Sequence, residues 1–578
     1  MKSLLVANRG EIAVRVIRTA REMGIRTIAI YSELDRDAAH VDLADEAWNA
    51  GPAPAAGSYL NQRRILQIAH EAGAEAIHPG YGFLSENPSF ARAVSNEGII
   101  WVGPPASAIE SMGDKITSRR NAEQFGVPTV PGVTEPITTV DEVAAVAEQF
   151  GYPVAIKAAH GGGGKGLRVV HGPEELEDSF DGARREADAY FGNPEVYVEK
   201  YLEQPRHVEA QVLFDSHGKG VFLGERDCSV QRRHQKLIEE TPSPGLSVKQ
   251  RRALSKAALA VASSCDYVNA GTVEFLVDRQ GDFYFLEMNT RLQVEHTVTE
   301  MVTGIDLVEW QLRIASGQAL TFEAVEPRGH AIEFRINAED PYQDFLPSPG
   351  RIVEWQEPAG PGVRVDSWIR SGTNLSQYYD NLLAKLVVWG PDRASAINRG
   401  RRALEEFRVQ GVASTIPAHL AVLAHPDFIK GSHHTRWMED TVVLGLTEPE
   451  VNPSLPQDED LTRRDITVEV GGRRFTVSYW APDPGTSAGA VVRRRPPRLA
   501  NSGAAGASDG MVTAPMQGTI VKIHVTAGTA VKEGDPICVL EAMKMENEVR
   551  SPNSGEVVDL RVQTGDTVTP GQVIAIVK

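Results

Sequence analysis

Cysteine is scarce in this chain of 578 residues. Cys228, Cys265 and Cys538 are the only cysteines, and they form no CxxC pair. An odd number of scattered thiols excludes a disulfide framework and fits a reducing compartment, which predicts a cytoplasmic protein. Each thiol is expected to be a small buried side chain.

Long apolar runs and excess positive charge are also lacking. No run approaches the roughly 20 residues of a membrane-spanning helix, and the short apolar start at residues 1–7 reads as a buried strand rather than a signal peptide. Lys and Arg number 59 against 77 Asp and Glu, a net charge of -18. Such a charge repels polyanions, so we expect neither nucleic acid nor membrane as a partner.

The first part of the chain has the pattern of an α/β domain. Residues 3–7 predict a strand, residues 11–23 a helix, and residues 25–31 a second strand. This βαβ order predicts a parallel sheet covered by helices, and the pattern continues to about residue 103.

The composition changes after residue 446. Residues 465–480 alternate apolar and polar side chains around Gly471-Gly472, which predicts a hairpin, and residues 482–510 read as a flexible Pro/Gly/Ala/Ser linker. Residues 511–578 contain a repeat: a shift of 37 positions places Pro515 on Pro552 and Gly518 on Gly555. Two similar halves of short strands predict a flattened β-barrel with two-fold pseudosymmetry.

The sequence Ala-Met-Lys-Met at residues 542–545 lies between those halves, at the predicted tip of a hairpin. A lysine here suits a long covalent arm; the alternative is an ordinary surface lysine beside core methionines. The segment resembles biotin carboxyl carrier domains, which implies biotin on Lys544. Lipoyl domains share the barrel but usually carry Asp-Lys-Ala at the tip.

A glycine cluster follows the predicted strand 154–157. Its glycines, including Gly163 and Gly164, let backbone amides approach phosphate oxygens, and Lys165 adds positive charge. Alone, the cluster is equally typical of a flexible loop, and Gly166 after Lys165 excludes a P-loop. Downstream, Glu274 and the Glu287–Asn289 stretch supply hard oxygen ligands on neighbouring predicted strands, which suit magnesium and ATP; the alternative is solvated edge carboxylates.

Three longer stretches carry a second resemblance. NRGEIA at residues 8–13, RDCSVQRRHQK at 226–236 and EMNTRLQVEH at 287–296 are similar to the signatures of biotin carboxylase, an ATP-grasp enzyme. The resemblance covers about residues 1–446, with His160 as a departure in the glycine loop. It implies a Rossmann-like N-terminal domain (1–112), an ATP-grasp domain (113–328) and a mixed C-terminal domain (329–446), followed by a docking hairpin (447–481), the linker (482–510) and the biotinyl barrel (511–578).

The resemblance also implies the chemistry: ATP activates bicarbonate, and the released carbon dioxide carboxylates biotin N1. Catalysis is assigned to Lys236, Arg291, Glu295 (the general base) and Arg335 (which stabilises the biotin enolate). Lys236, Arg291, Gln293 and Val294 match bicarbonate-binding positions. The ATP positions are Lys115, Lys157, Gly163, Gly164, Lys165, Glu199, Lys200, Tyr201, Leu202, His207, Gln231 and His234. Mg²⁺ or Mn²⁺ is expected on Glu274, Glu287 and Asn289.

Partners follow from what the chain holds. It has no room for a carboxyltransferase, so we expect a separate carboxyltransferase subunit for acetyl-CoA or propionyl-CoA, a biotin protein ligase, and homo-oligomers within a larger complex. A split pyruvate carboxylase stays open. Two further hypotheses are a non-catalytic carrier and another ATP-grasp ligase; the retained site residues and the Ala-Met-Lys-Met domain argue against them.

Overall fold

The computed structural model describes residues 1–133, 135–158, 167–191, 193–440, 461–470, 473–482, 510–543, 545–569 and 571–578. Five positions of the predictions lie outside these residues: His160, Gly163, Gly164, Lys165 and Lys544. Most of the predicted linker, residues 483–509, lies outside them as well. Within the described residues, no helix is both long and apolar enough to cross a bilayer.

The N-terminal part is built on a parallel sheet. Its elements are β1 (Ser3–Val6), α1 (Gly10–Glu22), β2 (Arg26–Ser32), α2 (Ala39–Leu43), β3 (Glu46–Gly51), α3 (Gln62–Glu71), β4 (Ala76–His78), α4 (Pro88–Asn96), β5 (Ile100–Trp101) and α5 (Ala106–Gly113). The strand order is β3-β2-β1-β4-β5, so β1 is central and pairs in parallel with both β2 and β4. The predicted βαβ start is confirmed.

A small antiparallel sheet follows. Its elements are α6 (Lys115–Gln124), α7 (Val140–Phe150), β6 (Val154–Ala158), β7 (Leu167–Val170), α8 (Leu176–Phe191) and β8 (Val196–Lys200). The strand order is β7-β6-β8, and α7 and α8 pack against the sheet through a shared apolar cluster. Helix α7 begins with a capping box, in which Thr139 and Glu142 satisfy each other's backbone N–H groups.

The largest sheet joins the central and C-terminal regions. Its first elements are β9 (Arg206–Phe214), β10 (Gly220–Arg232), β11 (Gln235–Thr241), α9 (Val248–Ser263), β12 (Asn269–Val277), β13 (Phe283–Asn289), α10 (His296–Thr303), α11 (Leu307–Ala315) and β14 (His330–Asn337). Strand β11 pairs with β14, so the sheet runs through the predicted domain boundary at residue 328. Both predicted carboxylate strands form and pair with each other as β12 and β13.

The C-terminal carboxylase region completes that sheet. Its elements are β15 (Glu339–Asp340), β16 (Leu346–Pro347), β17 (Gly350–Arg351), β18 (Glu354–Gln356), β19 (Val363–Ser367), β20 (Asn374–Leu375), β21 (Leu382–Gly390), α12 (Arg393–Glu406), β22 (Arg408–Gln410), α13 (Ile416–Ala424), α14 (Pro426–Lys430) and α15 (Trp437–Asp440). The full strand order is β13-β12-β9-β10-β11-β14-β21-β19. Helices α12 and α13 cover one face of β14 and β21, and this packing forms a large apolar core.

A hairpin and a barrel end the chain. The elements are β23 (Leu461–Val470), β24 (Arg473–Pro482), β25 (Met511–Thr513), β26 (Gly518–Ile523), β27 (Ala530–Val531), β28 (Pro536–Ala542), β29 (Met545–Arg550), β30 (Gly555–Leu560), β31 (Thr567–Val568) and β32 (Val573–Val577). Strands β23 and β24 form the predicted hairpin. The barrel consists of two four-stranded sheets, and the 37-residue shift carries β26 onto β30 and β27 onto β31, as the sequence repeat predicts.

Candidate functional site

A cavity of about 900 Å³ lies between the small sheet of β6–β8 and the large sheet. Every predicted site residue that the structure describes lines it. These residues are Lys115, Lys157, Glu199, Lys200, Tyr201, Leu202, His207, Gln231, His234, Lys236, Glu274, Glu287, Asn289, Arg291, Gln293, Val294, Glu295 and Arg335. Residues that are far apart in sequence thus meet because β9, β11, β12, β13 and β14 belong to one sheet.

Three carboxylates form a row across neighbouring strands. Glu209 on β9 lies opposite Glu274 on β12, and Glu274 lies opposite Glu287 on β13. Side chains that face each other across a sheet lie about 5 Å apart, so the three repel one another unless cations separate them. The row therefore attracts positive charge into the cavity.

Lys236 supplies part of that charge. Its Nζ donates to Glu209 Oε2 at 2.7 Å, to Glu274 Oε1 at 3.0 Å and to Glu295 Oε1 at 2.6 Å. An ammonium has three N–H bonds, so every donor of Lys236 is used. Lys236 consequently joins the acidic row to the general base predicted from the sequence.

Glu295 is held between two cations. Arg335 Nη2 lies 2.9 Å from Glu295 Oε2, and Lys236 contacts the other oxygen. Burial alone would raise the pKa of Glu295, but Lys236 and Arg335 outweigh it and hold that pKa well below its usual range. Glu295 is therefore ionised at neutral pH and free of the proton that a general base must accept.

Glu274 and Glu287 have the chemistry of a divalent-cation site. Glu274 Oε1 accepts hydrogen bonds from Asn289 Nδ2 at 2.9 Å and from Gln293 Nε2 at 2.9 Å. Burial, followed by the charge of Glu274, raises the pKa of Glu287. A hard cation beside these oxygens would remove that repulsion, so the donor set fits magnesium or manganese.

Two other groups in the described residues bring possible metal ligands within 4.8 Å of one another: His207 with Glu209 and Glu274, and Glu209 with Cys228 and Glu295. Glu209 belongs to both, and it is already paired with a fully buried Arg226 at 2.5 Å and with Lys236. Protein cations thus already neutralise Glu209, the residue common to both groups. The pair of Glu274 and Glu287 is the better cation site because burial and the charge of Glu274 raise the pKa of Glu287, which an added cation would offset.

The other end of the cavity holds the predicted nucleotide residues. Glu199 on β8 forms ion pairs with Lys157 and with Arg119, whose Nη1 lies 3.0 Å from Glu199 Oε2. Lys157 was predicted to contact phosphates, and here it faces the cavity while bound to this carboxylate. Burial lowers the pKa of His234, which leaves a neutral imidazole at this wall.

Sequence reasoning missed several residues around the site. Glu86 Oε2 accepts from Arg291 Nε at 2.7 Å and thereby orients that guanidinium. Arg9 is bonded to Asp35 and lies over the rings of Trp368 and Tyr379, at 4.6 and 4.3 Å from their centroids. Arg9 lies in the short motif at residues 8–13, which could have indicated that it belongs near the site. Glu86 stands outside the motifs found in the sequence, which therefore gave no indication of its role.

The barrel contacts the carboxylase beside the cavity. The peptide N–H of Met543 donates to the carbonyl oxygen of Gln377 at 2.9 Å. Met543 is 2% exposed and shares an apolar cluster with Trp368 and Leu375. It also lines the cavity itself, so the residue next to Lys544 reaches the wall of the site.

Comparison with known families covers most of the chain. Residues 1–109 match "Biotin carboxylase, N-terminal domain", and residues 114–323 match "Carbamoyl-phosphate synthase L chain, ATP binding domain". Residues 333–440 match "Biotin carboxylase C-terminal domain", and residues 510–577 match "Biotin-requiring enzyme".

Several known proteins are similar to this chain over all or most of its length. The biotin-dependent acyl-coenzyme A carboxylase alpha3 subunit of Mycobacterium leprae is 48% identical, covering 100% of this chain and 98% of that protein. The propionyl-CoA carboxylase alpha chain of Ruegeria pomeroyi is 40% identical over 99% of both. The solved biotin carboxylase of Campylobacter jejuni, a β,γ-ATP complex, is 45% identical with a TM-score of 0.74, covering 76% of this chain and 98% of that one.

These matches confirm the α/β carboxylase fold with its ATP-grasp domain and the barrel that follows it. The family uses biotin, ATP and Mg²⁺, with bicarbonate as a substrate, and the carboxylate and amide donors of Glu274, Glu287 and Asn289 suit Mg²⁺. The chain belongs to the biotin-dependent acyl-CoA carboxylase alpha subunits, in which a biotin carboxylase is joined to a biotin-requiring carrier domain.

Proposed function

We propose that this chain uses ATP and bicarbonate to carboxylate biotin on its own Lys544, and delivers the carboxyl group to a separate carboxyltransferase subunit that carboxylates acetyl-CoA or propionyl-CoA. The observation that carries the proposal is the contact of Met543, next to Lys544, with the wall of the cavity that holds the predicted catalytic residues. We also propose that the reaction takes place in the cytoplasm.

The nucleotide is expected to bind between the two sheets. Lys115, Lys157 and His207 line the cavity and can neutralise phosphate oxygens. Glu274, Glu287 and Asn289 would hold magnesium, which supplies charge neutralisation of the terminal phosphates. A phosphate that draws Lys157 away would break its ion pair with Glu199, which would stay bound to Arg119 through its other oxygen.

Bicarbonate is expected near Lys236 and Arg291. Arg291 Nη2 donates to Asn289 Oδ1 at 2.9 Å, and its Nε is held by Glu86, so the guanidinium is fixed in orientation. An anion that takes over part of the charge of Lys236 would raise the basicity of Glu295. Glu295 could then accept the bicarbonate proton as the anion attacks the γ-phosphate.

Arg335 is the proposed partner of biotin. Its side chain lies between Glu239 and Glu295, with Nε 2.6 Å from Glu239 Oε1. Arg335 lines the same cavity as Trp368 and Met543, so its charge faces the space that the tip of the carrier reaches. A fixed guanidinium at this position suits stabilisation of an enolate oxygen.

The acyl substrate in the proposed function is inferred from similar proteins. The similarity to the propionyl-CoA carboxylase alpha chain of Ruegeria pomeroyi supports propionyl-CoA as the acyl substrate. The alpha subunit of mouse methylcrotonoyl-CoA carboxylase is 41% identical over 96% of this chain, so a branched acyl-CoA belongs in the same assay. Pyruvate belongs there too, because a solved biotin carboxylase subunit of pyruvate carboxylase is 46% identical with a TM-score of 0.69, covering 78% of this chain and 100% of that one.

The test uses the full chain produced together with a biotin protein ligase. Mass spectrometry should find biotin on Lys544, and ATP cleavage should require bicarbonate and increase with free biotin. Lys544→Arg should abolish the modification and keep the reaction with free biotin. Purification with co-purifying proteins, followed by a panel of acyl-CoA substrates and pyruvate, then identifies the acceptor. Absence of biotin on Lys544, or ATP cleavage indifferent to bicarbonate, would contradict the proposal.

A further inference from the structure

Behind Arg335, two carboxyl groups are buried next to each other. Glu239 on β11 lies directly opposite Glu333 on β14 in the antiparallel register. Both residues are 0% exposed. Side chains in such a register have Cβ atoms about 5 Å apart, so the two carboxyl groups can reach each other.

Each of these carboxyl groups has one oxygen that is used and one that is not. Glu239 Oε1 accepts from Arg335 Nε at 2.6 Å, and Glu333 Oε2 accepts from the hydroxyl of Thr297. Glu239 Oε2 and Glu333 Oε1 are buried and have no hydrogen-bond partner within the described part of the chain. Two buried carboxylates with unsatisfied oxygens are costly unless a proton lies between them.

The surrounding charges also favour one added proton. The cations that face the pair are Lys236 from β11, Arg335 from β14 and Lys385 from β21. The other carboxylates in this group are Glu295, bound to Lys236 and Arg335, and Glu11 from α1, bound to Lys385 Nζ at 2.8 Å. Lys236 is also bound to Glu209 and Glu274, and Lys385 Nζ lies 3.9 Å from Asp366 Oδ2. Other carboxylates thus already share these cations, so a second negative charge on the pair would have no cation of its own and one added proton is favoured.

We propose that Glu239 and Glu333 share one proton between Glu239 Oε2 and Glu333 Oε1, and that this proton keeps Arg335 available to biotin. The second half rests on the role of Arg335 in the proposed function. Glu239 and Glu333 are thus positioning residues that act through Arg335.

The direction of the pKa values agrees with the geometry. Burial raises the pKa of Glu239 to about 7, although Arg335 opposes it. Burial also raises the pKa of Glu333 well above its usual range, with the charge of Glu239 adding to the effect.

The shared proton changes how tightly Arg335 is held. With the proton present, the pair carries a single negative charge, and the guanidinium can shift from Glu239 toward a substrate oxygen. Without it, a second full negative charge behind Arg335 holds the guanidinium in place. Loss of the proton at alkaline pH should therefore weaken the use of biotin before it affects ATP binding.

The first measurement is spectroscopic and independent of activity. The infrared spectrum of the full-length protein at neutral pH should contain the C=O stretch of a protonated carboxylic acid that is missing from Glu333→Gln. The glutamine amide can donate to Glu239 Oε2, so the variant retains the hydrogen bond without the titrating proton. A matched control is Glu240→Gln on the same strand, because hydrogen bonds from His330 and Arg393 keep the pKa of Glu240 low and its loss should leave the band in place.

The second measurement is the pH profile of carboxylation of free biotin. In wild type, KM for biotin should rise at alkaline pH. In Glu333→Gln this rise should begin at a higher pH, so that at about pH 9 the KM of the variant is at least about threefold lower than that of wild type. At neutral pH, kcat of the variant should lie within about threefold of the wild-type value.

The results separate the two claims. Identical infrared spectra for wild type and Glu333→Gln would overturn the shared proton. A lost band with an unchanged pH profile would overturn its effect on Arg335. If Arg335→Ala carboxylated free biotin as wild type does, the role of Arg335 in the proposed function would fail while the infrared band still reported the shared proton.

Discussion

The peptide N–H of Met543 donates a hydrogen bond to the carbonyl oxygen of Gln377, with a donor–acceptor distance of 2.9 Å. Met543 has a left-handed backbone, φ 51°, and lies directly after β28 at the turn toward β29. Its side chain is buried among residues of the carboxylase rather than only among those of the barrel. Met543, the neighbour of Lys544 in the sequence, thus anchors the carrier to the carboxylase.

We expect Met543→Ala to weaken docking of the carrier. Truncating a buried methionine removes about 1.5 kcal/mol or more of apolar burial, which corresponds to about a tenfold weaker contact. Carboxylation of the attached biotin, measured in a single turnover with labelled bicarbonate and divided by the rate with free biotin, should fall about tenfold. Mass spectrometry of all the proteins compared should verify that the same fraction of each carries biotin on Lys544. Met511→Ala, at a methionine that is 45% exposed, is the control; equal ratios in all three proteins would argue against docking through Met543.

Removal of the proposed base or of the arginine proposed to bind bicarbonate should affect the chemical step rather than nucleotide binding. Glu295→Gln keeps the size of the side chain but cannot accept a proton, and Arg291→Ala removes a cation proposed to hold bicarbonate. Bicarbonate-dependent ATP cleavage should fall by about 10² to 10⁴-fold, while ATP affinity by calorimetry stays within about threefold. Arg92→Ala, which breaks only an exposed ion pair with Glu110, should behave as wild type. Normal turnover in either site variant would refute the role assigned to it.

The cation site should be sensitive to Glu287. Glu287→Gln removes one negative ligand from a pair in which burial, followed by the charge of Glu274, raises the pKa of Glu287. The magnesium concentration that gives half-maximal ATP cleavage should rise about tenfold or more, and excess magnesium should restore part of the activity. Glu309→Gln, on the surface of α11, serves as the control. An unchanged magnesium requirement would exclude Glu287 as a ligand.

Most of this site could be predicted because its motifs are continuous. Residues 226–236 bring several cavity residues at the turn from β10 to β11, and residues 287–296 bring several at the end of β13 and directly after it. What the sequence could not predict are contacts between distant segments. Glu86 meets Arg291, and Met543 meets Gln377, only after the parallel sheet, the large sheet and the barrel have assembled. The opposite placement of Glu239 and Glu333 likewise depends on the register of β11 and β14, which alternation within either strand does not determine.

Acid should destabilise the protein partly through Glu240. Burial opposes ionisation, but hydrogen bonds from His330 and Arg393 lower the pKa of Glu240 to about 2. Because the folded-state pKa lies below the unfolded value of about 4.3, this stabilisation is complete above that value and is lost as pH falls through 2. The contribution is at most about 3 kcal/mol near neutral pH. The free energy of unfolding of wild type and of Glu240→Gln should be measured with denaturant between pH 3 and 7, about the range where the group titrates in the unfolded state. The difference between the two proteins should decrease as the pH falls. A constant difference would contradict the assignment.

The hairpin of β23 and β24 is the segment that we expect to bind the carboxyltransferase. Among the described residues its two strands pair only with each other, and an isolated two-stranded hairpin is marginally stable in water. A partner that packs on it would supply the missing burial. Replacing residues 461–482 by a Gly/Ser segment of equal length should therefore abolish co-purification of the carboxyltransferase and leave ATP cleavage with free biotin within about twofold. The same replacement of residues 483–509 should retain the complex. Assembly that survives the loss of the hairpin would show that the transferase binds elsewhere.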